Sequence, residues 1–315
     1  MRRLWGGILV ALGVFLIALA GMLRFYVADR AVQTPIDQYV TTVAPGPGRY
    51  FDPGSLREVQ SDMVATRTVR GDVPASSDDV GVWDVYVAVE SGVGTLVRES
   101  QDRLAFDRQT AQSVNCCGEA VDGVPVQHSG VSYKFPFDTQ KQDYQLWDVN
   151  SRAAYAARYV AEEEVQGLTV YKFIQQIPPT QIRTAEVPGS LVGESAQTFE
   201  APVFYANTRT VWVEPKSGVI VKGSEGTTST LRDSTGQDRV TVLQADFTFN
   251  EETQRNQAET ARDAIGRIDL IRLWLPLGAL ALGIILLAAA VLVMRGPGPR
   301  QPEAEPAGEP EPALR

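Results

Sequence analysis

Residues 211–222 read Val-Trp-Val-Glu-Pro-Lys-Ser-Gly-Val-Ile-Val-Lys, a pattern that predicts an antiparallel β-hairpin. Two short runs of β-branched and aromatic residues flank four turn-forming residues, 215–218. Outward from this hairpin, apolar and polar residues alternate with the period of a strand that has one buried and one solvated face. This alternation predicts further strands at 85–89, 154–165, 169–177 and 243–249. The centre of the chain, residues 24–253, is therefore predicted to be mainly antiparallel β.

Two uncharged apolar stretches lie near the ends of the chain, at residues 4–23 and 273–294. A helix that crosses the hydrocarbon core of a bilayer needs about 20 such residues, so both stretches predict transmembrane helices. The first stretch also fits a signal peptide, because Arg2 and Arg3 precede it and Ala18-Leu19-Ala20 resembles a cleavage site. Its length favours an uncleaved anchor, and the cleaved form stays as the alternative.

The arginines that flank the two spans predict the orientation of the chain. Arg2 and Arg3 precede the first span, and Arg295 and Arg300 follow the second. Because short positive flanks stay in the cytoplasm, residues 1–3 and the C-terminal end are predicted to be cytoplasmic. The β-rich region is then extracytoplasmic, and the protein is predicted to reside in the plasma membrane.

The two segments on either side of the second span differ in pattern. In residues 254–272 the apolar side chains recur at helical intervals, which predicts a helical stalk before the membrane. Residues 295–315 are rich in proline and glutamate, a composition that cannot bury a core and predicts a disordered cytoplasmic tail.

The composition excludes several classes of function. The formal net charge of −9 argues against a nucleic-acid partner, because binding phosphates requires a basic face. The sequence has no zinc-ligand spacing, phosphate-binding loop or dinucleotide fingerprint. We therefore expect no cofactor, no metal and no catalytic residue, and a protein that is not an enzyme.

Cys116 and Cys117 are adjacent, and they are the only cysteines in the chain. Outside the cytoplasm two thiols are expected to oxidise, so a vicinal disulfide that forms a rigid loop is the favoured interpretation. Buried free thiols and a bridge between two molecules are the alternatives.

The other candidates for chemistry have simple structural interpretations. His128, the only histidine, lies in a glycine-flanked polar stretch and is predicted to be a surface loop residue rather than a general base. The segment from Gly193 to Gln197 begins like a nucleophile elbow but lacks the closing glycine. The acidic pairs and triplets at 78–79, 162–164 and 251–252 are predicted to be solvated surface rather than calcium ligands.

Taken as a set, these features resemble the actinobacterial porin PorA family. The resemblance is carried by Met1-Arg2-Arg3 before the first span, Thr34-Pro35 just after it, the cysteine pair, the segment 212–220 and the C-terminal span. It covers residues 1 to about 295 and leaves out the C-terminal tail. It implies an envelope protein of mycolate-type actinobacteria whose family is loosely linked to lipoglycan maturation, and it carries over no catalytic residues.

The apolar helices conflict with the channel that the family name implies. A porin barrel needs closed strands with an outward apolar band, whereas two apolar helices hold a chain in the plasma membrane. We therefore expect a non-enzymatic envelope protein whose external β domain has an apolar groove and binds lipid, lipoglycan or a partner such as an envelope glycosyltransferase. An envelope enzyme that modifies glycans or lipids is the alternative, and a porin or channel ranks third.

Overall fold

The computed structural model describes residues 2–295, which form two compact units. One unit consists of residues up to 31 together with residues from 270, and the other spans Val32–Asp269. The predicted disordered tail lies outside the described residues except for Arg295, which ends the last helix.

The first unit is helical. It contains α1 (Arg2–Met22), a π-helical turn (Leu23–Val27), α2 (Ala28–Ala31), a second π-helical turn (Leu270–Trp274) and α4 (Leu275–Arg295). Two helical stretches, Leu4–Val27 and part of Glu251–Arg295, are long and apolar enough to cross a membrane.

Small residues allow α1 and α4 to pack closely against each other. A Cβ atom added at Gly13 would lie 2.9 Å from the carbonyl oxygen of Gly283, and one added at Gly283 would lie 2.9 Å from Ile17. Helices in lipid associate through such close backbone approaches, because burial of apolar surface gives no driving force there. The packing therefore matches that of a membrane helix pair.

The second unit is an antiparallel half-barrel of twelve strands with one helix, α3 (Glu251–Asp269). The strands are β1 (Tyr39–Asp52), β2 (Arg57–Gly71), β3 (Val80–Ser91), β4 (Leu96–Asp107), β5 (Ala120–Val121), β6 (Val124–Pro125), β7 (Tyr144–Asp148), β8 (Ala153–Val165), β9 (Leu168–Pro188), β10 (Thr198–Val213), β11 (Ile220–Arg232) and β12 (Asp238–Thr248). A short 3-10 turn, Gly189–Leu191, precedes β10. The mainly antiparallel β class predicted from the sequence is confirmed, and the strands are longer than the alternating stretches alone indicate.

The sheet consists of two meanders that join where the first strand pairs with the last. Its order is β6-β5-β4-β3-β2-β1-β12-β11-β10-β9-β8-β7. The two ends of the sheet, at β5–β6 and at β7, lie close to each other. Arg152, which follows β7, donates a hydrogen bond to the carbonyl oxygen of Val121 in β5 at 3.4 Å. A parallel bridge between Val131 and Leu146 attaches the segment after β6 to the opposite edge. This curvature gives the sheet an interior face.

The hairpin that predicts the fold lies between β10 and β11. The amide of Glu214 donates to the carbonyl of Val219 at 2.9 Å, which leaves the four predicted turn residues between them. Gly218 has a φ of +73°, and a Cβ there would lie 2.0 Å from the carbonyl oxygen of Phe135. Only glycine fits this backbone conformation and this close contact.

The helix α3 begins at Glu251, three residues before the predicted start of the stalk, because Asn250 caps it. The side-chain oxygen of Asn250 accepts a hydrogen bond from the amide of Thr253 at 2.8 Å. The small side chains Ala258 and Ala261 pack against Trp212 and other residues on the β9–β11 part of the sheet. Two apolar positions of the predicted stalk therefore pack on the half-barrel.

Candidate functional site

The half-barrel encloses a cavity of about 150 Å³, open at one side, on the interior face of its sheet. Its lining is mostly apolar, with Val87, Leu243 and Phe247 among the contributors. Three arginines also line it, namely Arg67 from β2, Arg98 from β4 and Arg209 from β10. An interior that combines a core with guanidinium groups is unusual, because buried charges are costly without partners.

Arg209 donates hydrogen bonds to four acceptors. Its Nε donates to Glu225 at 2.7 Å, and one terminal nitrogen donates to Asp148 at 3.1 Å. The other terminal nitrogen donates to the side-chain oxygen of Gln175 at 3.1 Å and to the carbonyl oxygen of Trp147 at 3.2 Å. The guanidinium thus connects strands β7, β9, β10 and β11 across the interior.

Asp148 is the most enclosed carboxylate of this network, with 0% of its surface exposed. One carboxylate oxygen accepts hydrogen bonds from the amide and hydroxyl of Ser151 at 2.9 and 2.8 Å. The other accepts from the hydroxyl of Tyr205 at 3.1 Å and from Arg209. The charge is therefore compensated at both oxygens.

The electrostatic surroundings of Arg209 and Glu225 favour the charged state of both side chains. Burial opposes ionisation of Arg209, but the attraction of Glu225 and Asp148 outweighs it and raises the pKa of the guanidinium. Burial likewise opposes ionisation of Glu225, and the nearby Arg209 reverses that effect and lowers the pKa of the carboxyl. Arg209 and Glu225 therefore favour the ionised state as a pair.

Arg67 and Arg98 have fewer partners than Arg209. The guanidinium of Arg67 lies 5.3 Å from the ring centre of Tyr133 and 5.7 Å from that of Phe249, in cation–π geometry. Arg98 donates to the side-chain oxygen of Asn150. Burial lowers the pKa of both guanidinium groups, although not enough to remove a charge that arginine keeps in proteins.

His128 is buried, with 3% of its surface exposed, so the prediction of a surface loop residue is wrong. One ring nitrogen lies 2.8 Å from Asp102 in β4, and the other lies 2.9 Å from Glu119. The second oxygen of Asp102 accepts a hydrogen bond from Tyr133 at 2.7 Å. The glycine-flanked polar sequence predicts exposure, but inside the fold the two carboxylates provide the hydrogen-bond partners that water provides at the surface.

Cys116 and Cys117 are joined as a vicinal disulfide in the loop between β4 and β5. Cys117 has a φ of +64°, and its carbonyl oxygen accepts a hydrogen bond from Arg103 at 3.1 Å. Arg103 also bonds Asp72 and Asp84 at 2.7 Å each. The loop is thus attached to the outer side of β4, away from the interior network, and its redox state in the protein stays a prediction.

The remaining sequence candidates are spread over the surface. Ser195 is exposed in the turn before β10. In the acidic triplet, Glu162 pairs with Lys141 at 2.6 Å and Glu163 pairs with Lys172 at 2.9 Å. These carboxylates have basic side chains as partners.

Comparison with known proteins places the chain in a family. The family model described as Porin PorA matches residues 5–292. The chain belongs to the Porin PorA family. A protein named Porin PorA from Corynebacterium amycolatum is 25% identical over 305 residues, covering 71% of this chain and 77% of that protein. A Porin PorA from Corynebacterium resistens is 24% identical over 323 residues, covering 71% of this chain and 76% of that protein.

Membership of the Porin PorA family confirms the resemblance inferred from the sequence and corrects the predicted function. The lipid- or glycolipid-binding role was ranked first and the channel third, whereas the relatives are named porins. The family and the two apolar helices indicate a membrane or envelope protein, and the family favours a protein that is not an enzyme.

The interior charges of this Porin PorA member were missed at the sequence level although the strands contain a signal for them. In β2 the inward series is Met63, Ala65, Arg67 and Val69, so an arginine occupies an apolar register position. In β10, Arg209 lies between Asn207 and Val211 in an inward series that runs from Val203 to Val213. A charged residue within a mainly apolar inward series predicts a charge in the interior.

Proposed function

We propose that this chain forms a channel for small charged solutes in a membrane of the cell envelope. Membership of the Porin PorA family is the observation that carries the proposal. The interior of the half-barrel supports it, because fixed guanidinium and carboxylate groups line an open cavity there. Water-filled pores owe their selectivity to such charged linings.

The exposed face of the strands constrains how such a channel crosses the membrane. On β8 the exposed residues include Arg158, Glu162 and Glu164, and on β2 they include Arg57 and Glu58. Charges on a lipid-facing strand are destabilising, so these strands do not present the apolar band of a membrane barrel. We assign the crossing to the two apolar helices and expect several copies to assemble around one conduction path.

We further propose that both termini lie in the cytoplasm and that the half-barrel lies outside it. The support is the position of Arg2, Arg3, Arg295 and Arg300 next to the two candidate spans. A reporter that is active only outside the cytoplasm, fused after Arg315, is expected to stay inactive. Activity of that fusion contradicts the orientation. Lipoglycan and envelope glycosyltransferases stay predicted partners.

Planar-bilayer recording on the purified full-length protein tests the channel. We expect discrete conductance steps and, in a salt gradient, a reversal potential that reports a preference for anions. Replacing Arg98 with glutamine should reduce that preference, because it removes a positive charge from the cavity lining. The matched control is Arg70→Gln, which removes an exposed charge from β2. Absence of conductance steps refutes the channel, and equal effects of the two variants refute a path through the cavity.

A further inference from the structure

A buried cluster of three titratable side chains, His128, Asp102 and Glu119, lies next to the cavity lining. The imidazole is fully buried, with Asp102 of β4 at 2.8 Å from one ring nitrogen and Glu119, from the loop before β5, at 2.9 Å from the other. An ionised carboxylate and an unprotonated ring nitrogen both only accept hydrogen bonds, so the two contacts require two bridging protons. If one of these protons is lost, two acceptors face each other and that contact breaks.

The phenol of Tyr133, from the segment after β6, is a further titratable group beside the His128 cluster. It donates a hydrogen bond to the second oxygen of Asp102 at 2.7 Å. Burial and the nearby Asp102 hold the pKa of Tyr133 well above its usual value, so the phenol stays a neutral donor. Burial also raises the pKa of Glu119, although His128 opposes that effect. The proton that is exchanged as the pH changes is therefore shared by His128 and its two carboxylates.

Two residues of the cavity lining are held directly by the His128 cluster. The indole of Trp147 packs on the ring of His128, with the two ring centres 4.5 Å apart. Tyr133 is held by its hydrogen bond to Asp102. Both Trp147 and Tyr133 line the cavity. A movement within the cluster therefore reaches the cavity through two side chains.

Each of these lining residues also contacts an arginine of the cavity. The carbonyl oxygen of Trp147 accepts a hydrogen bond from Arg209 at 3.2 Å. The guanidinium of Arg67 lies 5.3 Å from the ring centre of Tyr133. Arg67 and Arg209 are also the cationic groups whose charges act on the phenol. Two sets of contacts thus connect the buried cluster with fixed charges of the lining.

From these contacts we propose that the His128 cluster is a pH-sensitive support of the cavity lining, which regulates the passage of solutes through the cavity. The inference rests on the proposed channel, since it assigns regulation to the same cavity. While both bridging protons are present, the cluster holds Trp147 and Tyr133 in place. When the pH rises and one proton leaves to water, His128 separates from one carboxylate. The indole and the phenol then lose their support, and the arginines that they contact shift.

The protonation of the cluster can be followed on a single residue, because His128 is the only histidine in the chain. Nuclear magnetic resonance of the untagged full-length protein in detergent, labelled with ¹⁵N-histidine, distinguishes protonated from unprotonated ring nitrogens. At about pH 5 both nitrogens should carry protons, and one should lose its proton as the pH rises to about 9. The contribution of Trp147 to the fluorescence, obtained by comparison with Trp147→Phe, should change with the same midpoint.

Glu119→Gln tests the proton count. The amide that it introduces can donate to an unprotonated ring nitrogen, so the variant accommodates a neutral imidazole. Because the charged ring also loses a charged partner, we expect the midpoint to fall by about 1 to 2 pH units. Glu162→Gln, at an exposed carboxylate, should leave the midpoint unchanged. Lys134→Met should do the same, and it removes the ammonium group beside Tyr133 in sequence whose pKa is about 7.

The inference fails if the His128 ring keeps one protonation state across this range, or if the fluorescence of Trp147 changes with a different midpoint. It also fails if folded Glu119→Gln titrates like the unmodified protein. If Glu119→Gln does not fold, agreement or disagreement of the two midpoints in the unmodified protein decides.

Planar-bilayer recording below and above the midpoint tests the effect on conduction. We expect two different conductance levels, and their transition should shift in Glu119→Gln as the His128 signal does. Conductance that is independent of pH overturns the regulation and leaves the channel intact. A shared midpoint of His128 and Trp147 in a protein that does not conduct overturns the channel and leaves the pH-sensitive support.

Discussion

The buried carboxylate Asp148 offers a sharp test of the interior network. In Asp148→Asn the side chain keeps its shape, but one oxygen becomes an NH₂ group. If that group replaces the oxygen that faces Ser151, it meets the backbone amide, which cannot become an acceptor. If it replaces the other oxygen, it meets the guanidinium of Arg209, which cannot accept either. Each orientation therefore loses a buried hydrogen bond as well as the attraction of the charge.

The magnitude follows from the burial of the site. Hydrogen bonds to charged groups contribute about 1.5–3 kcal/mol, and breaking a buried ion pair costs about 3–5 kcal/mol. Because Arg209 keeps Glu225 as a partner in this variant, we expect a loss of about 3 kcal/mol in the free energy of unfolding. For a domain of this size, that corresponds to a decrease in Tm of about 6–12 °C.

Thermal unfolding of the full-length protein in detergent, followed by tryptophan fluorescence, measures the effect. The control is Glu162→Gln, whose carboxylate pairs with Lys141 at an exposed site and should leave Tm unchanged. If Asp148→Asn unfolds within about 1 °C of the unmodified protein, the carboxylate is hydrated and the network is not a buried structural element.

Three further predictions concern Lys134, His128 and the cysteine pair. Burial lowers the pKa of Lys134 from 10.5 to about 7, so the unfolded chain binds more protons between these values and stability should rise with pH across that window. Lys134→Met should remove this rise in Tm scans from pH 7 to 10, and an unchanged slope contradicts the assignment. His128→Gln should destabilise the protein by about 1–3 kcal/mol, because it cannot serve both Asp102 and Glu119; an unaltered denaturation midpoint argues against the double pairing. Non-reducing peptide mass spectrometry with alkylation should find Cys116 and Cys117 bonded to each other, and two alkylated thiols on one peptide exclude the bond.

Part of the site could be predicted from the sequence and part could not. The hairpin at 211–222 and the alternating strands could be predicted, because their patterns involve residues that are neighbours in the sequence. The structure has strands at the positions of this hairpin. The partner of Arg209 at Asp148 is 61 residues away along the chain, and no local pattern indicates that pairing. The same holds for His128, whose polar and glycine-flanked surroundings predict exposure while its carboxylate partners come from other segments.

The sequence by itself determined the strand class, the two apolar helices and the family resemblance, because each of these depends on short-range periodicity, composition or linear motifs. The tertiary structure alone decided which faces of the strands meet. Pairing of β1 with β12 joins two meanders, and curvature of the combined sheet brings Arg67, Arg98 and Arg209 around one cavity. Charge compensation inside a fold is a property of long-range contacts, since a carboxylate stabilises a buried arginine only when the completed sheet holds both within hydrogen-bond distance.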